Sequence, residues 1–439
     1  MLPGRPGADT AAVPDAAGAV ASRPGAAAPY PGFDGLRLLA ALGVLLSHAF
    51  LIPTGAEHHD ALVRQLGRIG YHGVYAFFII SGFLLARALA REPDALLFAV
   101  NRVLRIYPGL LACALVTAFV IGPLGSALPW LDYMMHPDAR TYVLLTADCL
   151  CARGWLPGVF AYAGFDDMAG IVNGSLWSLS YEVLSYLLLL GLWLTLRSVR
   201  ATVAAMALLC AATLALPLVH ERLAGVAFTL PYFTGGLLMY AVQQRFGLQG
   251  LVAAGCAAVL ALATHFGAGG LAFASLGAYL IVYLGTLPNP GSALAARVGD
   301  LSYGIYLYGW PVQQLIKQFT GTTNPWLMLA LCVPAVWLLA LLSFRLVERP
   351  ALRLKAPLTA LLRRAFEPAD AAQRRAVRRA STVAFVAATG VVLLSPQALW
   401  WYVGSSLAAV AAASALAAAL ALATLRARTR WSLLRSGVR

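Results

Sequence analysis

Long apolar runs separated by short polar segments dominate the hydrophobic pattern of this chain. A membrane-crossing helix needs roughly 17 to 25 predominantly apolar residues, and about twelve runs have that length. They fall near 36–52, 73–90, 104–122, 176–196, 201–219, 226–243, 250–266, 270–288, 301–319, 326–347, 381–397 and 399–424. We therefore predict an all-α fold: a polytopic transmembrane helix bundle with a ten-helix core and a C-terminal two-helix hairpin.

The connecting segments between these runs alternate between many and few basic residues. Arginines follow the second, fourth, sixth, eighth and tenth runs, whereas the intervening segments carry fewer. Because positive residues concentrate on the cytoplasmic side of membrane proteins, we expect both termini in the cytoplasm. The same pattern divides the chain into a disordered cytoplasmic tail at 1–30, a membrane core at 31–352, a basic linker at 353–380, a hairpin at 381–425 and a basic tail at 426–439.

Composition agrees with a multi-pass membrane protein, because 60% of the residues are hydrophobic and only 11% are charged, unlike a soluble domain. The net charge of +14 lies in short clusters between the runs. That arrangement indicates orientation and contact with anionic membrane lipids, not nucleic acid. The six cysteines are scattered, and the spacing of Cys149 and Cys151 matches no zinc or disulfide framework. We predict no metal site.

Two ionisable residues, Arg37 and His48, lie inside the first apolar run. Eleven residues of helix make about three turns, so both side chains lie on nearly the same face, about 16 Å apart along the axis. Ionisable groups in a membrane segment are costly unless they face protein or water. They are therefore candidate functional residues, although an interfacial anchor at Arg37 and a packing histidine at His48 are the simpler alternatives.

Further polar residues interrupt later runs. Arg102 and Arg105 share one helix face and suit a phosphate group, or they are ordinary residues of the positive cytoplasmic side. Glu182 lies inside the fourth run, where a carboxylate must be neutral, paired or facing water; an ion pair with an arginine is the alternative to a functional role. Trp177 suits an aromatic belt, and Tyr303 belongs to a glycine-rich helix that packs closely.

Two segments on the predicted outer side, 53–72 and 123–175, are long enough to hold structure, and the second is rich in Trp, Tyr and Gly. We place acceptor recognition there. At the other side, Pro350 follows Glu348 and predicts the end of the tenth helix with a charge pair, because proline cannot continue a helix.

In their order along the chain, these clusters resemble the acyltransferase-3 family of integral-membrane acyltransferases. The resemblance covers about residues 31–350. It rests on Phe33–Asp34–Gly35–Leu36–Arg37 with His48, Phe77–Phe78–Ile79–Ile80–Ser81–Gly82–Phe83–Leu84–Leu85, Arg102 with Arg105, Trp177–Ser178–Leu179 with Glu182 and Tyr186, Ser302–Tyr303 with Tyr306–Leu307 and Pro311, and Glu348 with Pro350.

The resemblance implies an O-acyltransferase in the bacterial inner membrane. Its donor is an acyl-CoA, usually acetyl-CoA, from the cytoplasm, and its acceptor is a hydroxyl of a cell-surface glycan or lipid-linked saccharide. The predicted catalytic residues are His48, as general base, Arg37 and Glu182. The predicted donor-binding residues are Arg102, Arg105, Trp177 and Tyr303.

The chain departs from the family pattern in two places. Many members place a histidine just before the aromatic–Pro pair of the ninth helix, where this chain has Gly309 before Trp310, so a second histidine role is not carried over. Some members also append a hydrolase-like domain, whereas this sequence continues into the basic linker and hairpin. A covalent acyl-histidine remains an alternative to general-base catalysis.

Other functions fit part of the pattern. About twelve helices with intramembrane Arg, His and Glu also describe a proton-coupled transporter or a flippase of an envelope precursor. The paired arginines and the absence of a detectable internal repeat favour the enzyme. An inactive scaffold in an export complex is a third alternative, and retention of every polar cluster argues against it.

Overall fold

The computed structural model describes residues 30–54, 61–147, 155–160, 170–215 and 224–366. The N-terminal tail to residue 29, the hairpin at 381–425 and the tail at 426–439 lie outside the described residues. Half of the predicted linker at 353–380, residues 367–380, lies outside them as well.

Helices account for most of the described residues, and no β-strand occurs among them. The helices are α1 Phe33–Thr54, α2 Ala61–Arg91, α3 Ala95–Val116, α4 Gly122–Gly125, α5 Trp130–Met135, α6 Pro137–Ala147, α7 Trp177–Leu196, α8 Val199–Ala215, α9 Ala224–Phe246, α10 Gly250–His265, α11 Gly269–Ala272, α12 Ala278–Gly285, α13 Pro290–Val298, α14 Ser302–Thr320, α15 Pro325–Ser343, α16 Arg349–Arg353 and α17 Lys355–Phe366. The predicted all-α fold is confirmed, and each of the ten predicted core runs is mainly helical over its described residues.

Within the described ranges, five segments are long and apolar enough to cross a membrane. They are Phe33–Thr54, Ile69–Arg91, Ala95–Gly125, Gly174–Leu196 and Pro325–Arg364. Shorter apolar helices include Val199–Thr213, Gly250–His265 and Phe273–Gly285. The protein is therefore a multi-pass membrane protein.

Local sequence sets several helix ends. The carboxylate of Asp94 accepts hydrogen bonds from the backbone amides of Leu96 and Leu97, at 2.9 and 3.1 Å, and so caps the start of α3. Gly321 ends α14 in the left-handed conformation, with a φ of 62°. These capping residues fix where α3 begins and α14 ends.

Three boundaries differ from the sequence prediction. Helix α2 begins at Ala61 and not near residue 73, so it occupies much of the segment 53–72, and α17 lies within the predicted linker. The predicted helix end at Pro350 is wrong. The chain stays helical through this position, because a π-helical turn, Phe344–Glu348, joins α15 to α16, and Pro350 stands in the first turn of α16.

Helix α1 lies in the middle of the bundle, packed against α2 on one side and α14 on another. Its residues Ala41, Ala49 and Ile52 are fully buried. Helix α2 runs antiparallel to α1, and α14 runs parallel to it. We call the side on which α1, α3 and α14 begin the lower side, and the side on which α1 ends the upper side.

Small residues allow α2 and α9 to pack with their backbones in contact. A Cβ atom at Gly82 would lie 2.1 Å from the carbonyl oxygen of Phe233, and one at Gly236 would lie 2.1 Å from the carbonyl oxygen of Ile79. Neither distance leaves room for a side chain. This pair of glycines therefore sets the α2–α9 distance, as small residues do at membrane helix contacts.

We expect Gly236→Ala to lower the free energy of unfolding by about 1–3 kcal/mol, because the new methyl group must push the two backbones apart. Denaturation of the purified protein in detergent measures this change. The matched control is Gly255→Ala, also within a helix, where no atom lies within 4 Å of a new Cβ. Equal stability of the two variants would contradict the close-packing explanation.

Candidate active site

A cavity with an open mouth lies in the lower half of the bundle. Its volume of about 670 Å³ includes solvent space at the mouth. Five helices contribute to it: α1, α2, α3, α7 and α14. Its lining consists of Arg37, Val74, Phe77, Phe78, Ser81, Arg102, Arg105, Ile106, Ser178, Leu179, Glu182, Tyr186, Ser302, Tyr303 and Tyr306.

Two of the three lining arginines are held by one carboxylate. Asp300, which precedes α14, contacts the guanidinium of Arg105 at 2.5 Å and that of Arg37 at 3.9 Å. Arg37 also contacts Asp34 at 3.2 Å. Asp300 further accepts hydrogen bonds from the backbone amide and hydroxyl of Ser302, at 3.2 and 2.5 Å. One side chain thus joins α1, α3 and the start of α14.

The charge state of Asp300 follows from this environment. Burial alone would raise the pKa of its carboxyl, but the charges of Arg105 and Arg37 outweigh burial and lower the pKa to about 2. Asp300 is therefore ionised at neutral pH. The sequence reasoning missed this residue, although an acidic residue two positions before the Ser302–Tyr303 motif was an available signal.

Arg102, in contrast, has no carboxylate within 4 Å among the described residues. Its guanidinium lies over the ring of Tyr186, 5.6 Å from the ring centroid. Its buried Nε atom has no hydrogen-bond partner in the described part of the chain. A buried donor without a partner is costly, so a hydrogen-bond acceptor bound beside Arg102 at the cavity wall would be stabilised.

Glu182 projects into the cavity from α7 and accepts hydrogen bonds from two side chains. Ser81 on α2 donates to its Oε1 atom at 3.1 Å, and the hydroxyl of Tyr186 donates to the same oxygen. This network ties α2 to α7 and fixes the carboxylate close to the arginines. It satisfies the requirement that an intramembrane carboxylate be paired or hydrogen-bonded.

Tyr303 and Glu348 pack beside Arg105. The hydroxyl of Tyr303 donates to the carbonyl of Ile106 at 2.8 Å, and Arg105 lies over the tyrosine ring at 5.8 Å. Glu348 is buried, 2% exposed, and its Oε1 atom accepts a hydrogen bond from Ser343 at 2.9 Å. Glu348, which the sequence placed in a charge pair at a helix end, is thus buried within the π-helical turn Phe344–Glu348.

The upper end of the cavity is mainly apolar. On α2, Val74, Phe77 and Phe78 lie one to two turns above Ser81; on α7, Leu179 lies above Glu182. The cavity therefore has a cationic lower part and an apolar upper part.

His48 lies above the cavity and is not part of its lining. Its ring packs edge-on against Trp310 of α14, with ring centroids 4.8 Å apart. The Nδ1 atom is buried and has no hydrogen-bond partner in the described part of the chain. Trp310 is itself held in place, because its indole N–H donates to the carbonyl of Ile171 at 2.9 Å.

A segment just before α7 is fastened over α14 at this upper level. Gln314 donates to the carbonyl of Ile171 at 3.0 Å, and Asn173 donates to the carbonyl of Leu307 at 3.0 Å. Tyr306 donates to the carbonyl of Ser175 at 2.6 Å. Part of the predicted acceptor-recognition segment, 123–175, therefore lies beside His48 and Trp310.

The structure brings five predicted site residues together around one cavity: Arg37, Arg102, Arg105, Glu182 and Tyr303. It places the other two elsewhere. His48 lies above, and Trp177 packs at the upper side against Tyr181 and Phe228, with centroids 6.1 and 6.0 Å apart. Among the described residues, no group of three or more His, Cys, Asp or Glu side chains is arranged to hold a metal ion.

Comparison with known proteins identifies this architecture. The model of a family described as an acyltransferase domain matches residues 30–344. The chain belongs to the acyltransferase-3 family. The match spans every residue of the cavity lining together with His48, so the chain is an acyltransferase, and this membership favours the enzyme over the transporter and scaffold alternatives.

Two relatives align with this chain over nearly their full length. The "O-acetyl transferase" of Shigella phage Sf6 is 26% identical over 342 residues, 74% of this chain and 97% of the relative. "Nodulation protein 10" of Rhizobium leguminosarum bv. viciae is 30% identical over 359 residues, 75% of this chain and 95% of the relative.

A third relative matches over a shorter stretch. "Acyltransferase MdmB" of Streptomyces mycarofaciens is 30% identical over 158 residues, 36% of this chain and 37% of the relative. No solved structure matches the chain.

Proposed function

We propose that this acyltransferase transfers an acyl group, acetyl in the first instance, from acyl-CoA to a hydroxyl of a cell-surface or lipid-linked glycan. The donor enters the cavity from the lower side, which we assign to the cytoplasm because the arginine clusters lie there. The upper side then faces outward. We place the protein in the bacterial inner membrane, with both termini cytoplasmic.

One observation carries this proposal: a cavity whose lower wall presents three arginines and whose upper wall is apolar. Coenzyme A combines phosphates with an uncharged arm that ends in the thioester. Guanidinium groups bind phosphate with good geometry, and Arg102 has a buried N–H without a partner. The phosphates therefore fit the lower wall, and the arm directs the thioester upward.

The proposed chemistry uses His48 as general base. The acceptor hydroxyl loses its proton to the imidazole as its oxygen attacks the thioester carbonyl carbon. The C–S bond then breaks, the electrons leave with sulfur, and coenzyme A takes up a proton. The unpartnered Nδ1 atom of His48 supports this role, since the nitrogen accepts no competing hydrogen bond from the described residues.

The remaining cavity residues have supporting roles in this proposal. Arg37 and Arg105, joined by Asp300, add positive charge for the donor, and Glu182 organises the wall opposite them through Ser81 and Tyr186. Tyr303 shapes the floor beside Arg105. Trp177 lies outside the cavity, so we leave it out of the donor site.

An acceptor hydroxyl is supported by the name of one relative, and the glycan that carries it is our proposal. The phage Sf6 protein is named an O-acetyl transferase, and oxygen acylation needs an acceptor hydroxyl. We place the acceptor at the upper level, beside the segment that holds Ile171 and Asn173 over α14. Membrane lipids surround the bundle, and no nucleic acid or metal takes part.

The donor site is tested by calorimetry of coenzyme A binding to the purified protein. We expect Arg102→Ala to weaken binding by about tenfold or more, since a hydrogen bond to a charged group contributes about 1.5–3 kcal/mol. Arg200→Ala, an exposed arginine at the start of α8, is the matched control. Unchanged affinity in Arg102→Ala, or an equal loss in the control, would refute phosphate binding at this wall.

A further inference from the structure

The cavity is layered, and its upper layer is lined mainly by apolar side chains. The residues that line its top from α2, α7 and α14 are Val74, Phe77, Phe78, Ser178, Leu179 and Tyr306. The arginines lie in the layer below. An arm entering between the arginines therefore ends among aromatic and aliphatic side chains.

Tyr306 is held rigidly in this upper layer. It is 8% exposed, its hydroxyl donates to the carbonyl of Ser175 at 2.6 Å, and its hydroxyl also lies 2.6 Å from that of Ser178. Two hydrogen bonds to the segment at the start of α7 fix the ring. Movement of Tyr306 away from the cavity would break both.

Phe77 completes this layer from the opposite helix. Its ring contacts Tyr306 edge-on, with centroids 5.8 Å apart and planes 67° apart. Trp310 lies one turn above Tyr306, about 6 Å further along α14, and contacts His48. The Phe77–Tyr306 pair thus lies between the arginines of the donor cavity and the level of His48.

We propose that the Phe77–Tyr306 pair forms the end of the acyl-group pocket and restricts the donor to short acyl chains. This inference rests on the proposed function, because it assumes that acyl-CoA occupies the cavity. In this arrangement the acyl group points at the ring of Phe77, and the thioester carbonyl lies beside the pair, on the side open to the acceptor and His48. Each additional methylene of the acyl group collides with the ring of Phe77, which Tyr306 supports from behind.

Phe77 is the residue of the pair that can be changed without loss of a hydrogen bond. A phenyl ring removed from the end of the cavity opens space for several methylene groups, each of which gains by leaving water. A methylene that fits or fails to fit an apolar pocket changes selectivity by about tenfold or more. The dependence of binding affinity on acyl-chain length is therefore a sensitive test of the role of Phe77.

The experiment measures the affinity of the purified full-length protein for acetyl-CoA, butyryl-CoA and hexanoyl-CoA by calorimetry, with no acceptor needed. We expect the wild type to bind hexanoyl-CoA about tenfold or more weakly than acetyl-CoA. Phe77→Ala should abolish this discrimination, and Phe77→Leu, which keeps apolar packing if the alanine variant fails to fold, should reduce it. Phe77→Trp should extend the discrimination to butyryl-CoA.

The matched control is Phe83→Ala on the same helix. Phe83 is fully buried and packs against Phe33 and Tyr30, not against the cavity. This variant loses the same ring and should keep the wild-type discrimination whatever its stability.

The outcomes separate the two proposals. If no coenzyme A ester binds the wild type, the proposed function fails, and the pocket assignment fails with it. If acetyl-CoA binds but the wild type does not discriminate, or the Phe77 variants discriminate as the wild type does, only the pocket assignment is overturned.

Discussion

His48→Ala is expected to abolish the release of coenzyme A from acetyl-CoA in the presence of glycan acceptor. A positioned general base contributes about 10²–10⁴-fold to such a reaction, and His48 contacts α14 through Trp310 above the donor cavity. Its imidazole is held by Trp310, whose own N–H is fixed to the carbonyl of Ile171. Alanine removes the proton acceptor without filling the space.

Turnover is measured as free thiol released by the purified protein in detergent, with surface glycan as the acceptor. Because His48 lies outside the cavity lining, acetyl-CoA affinity should stay within about twofold of wild type, and this separates loss of chemistry from loss of folding. His265→Ala, an exposed histidine at the end of α10, should retain full activity. Full turnover in His48→Ala would remove the residue from the mechanism.

Asp300→Asn is expected to lower the free energy of unfolding by about 2 kcal/mol. Folding lowers the pKa of the Asp300 carboxyl to about 2. The difference between this pKa and that of an unfolded aspartate corresponds to a contribution to the free energy of unfolding, which the neutral asparagine lacks. Asparagine keeps the size and the hydrogen bonds from Ser302 but not the charge. Arg37 and Arg105 then face each other across α1 and α3 without their shared counterion. Chemical denaturation in detergent measures the loss.

The pH dependence of this loss has a definite sign. Since folding lowers the pKa of Asp300, its stabilisation is fully present above the pKa of an unfolded aspartate, about 3.9, and disappears as the pH falls toward the folded value. Wild type and Asp300→Asn should therefore differ by the same amount at about pH 6 and about pH 8. Asp138→Asn, at an exposed carboxylate of α6, is the control and should have little effect; a penalty for Asp300→Asn that changes between these two pH values would contradict an ionised Asp300.

The sequence alone was sufficient to predict the helices and the family. Apolar runs of bilayer length are local features, and all ten predicted core helices occur near their predicted positions. The ordered motifs from Arg37 to Glu348 indicated the acyltransferase-3 family, which the match over residues 30–344 confirms. The helix end at Pro350 was mispredicted, because a π-helical turn before the proline lets the helix continue through it.

The lateral arrangement of the helices was beyond the sequence pattern. Periodicity shows which face of a helix is apolar, but not which neighbour meets that face. The ion pair between Arg105 and Asp300 joins residues 195 positions apart, and the network of Ser81 with Glu182 joins residues 101 positions apart. The partners in these long-range contacts cannot be identified from local sequence, so the pairing of Asp300 with two arginines was not predicted.

Tertiary structure also decided how the shared face of α1 is used. The sequence placed Arg37 and His48 on one side of the helix, about three turns apart. The packing of α2, α7 and α14 around that helix assigns Arg37 to the cationic cavity and His48 to the contact with Trp310 above it. The Phe77–Tyr306 contact lies between the two levels, and it exists because side chains from separate helices meet there.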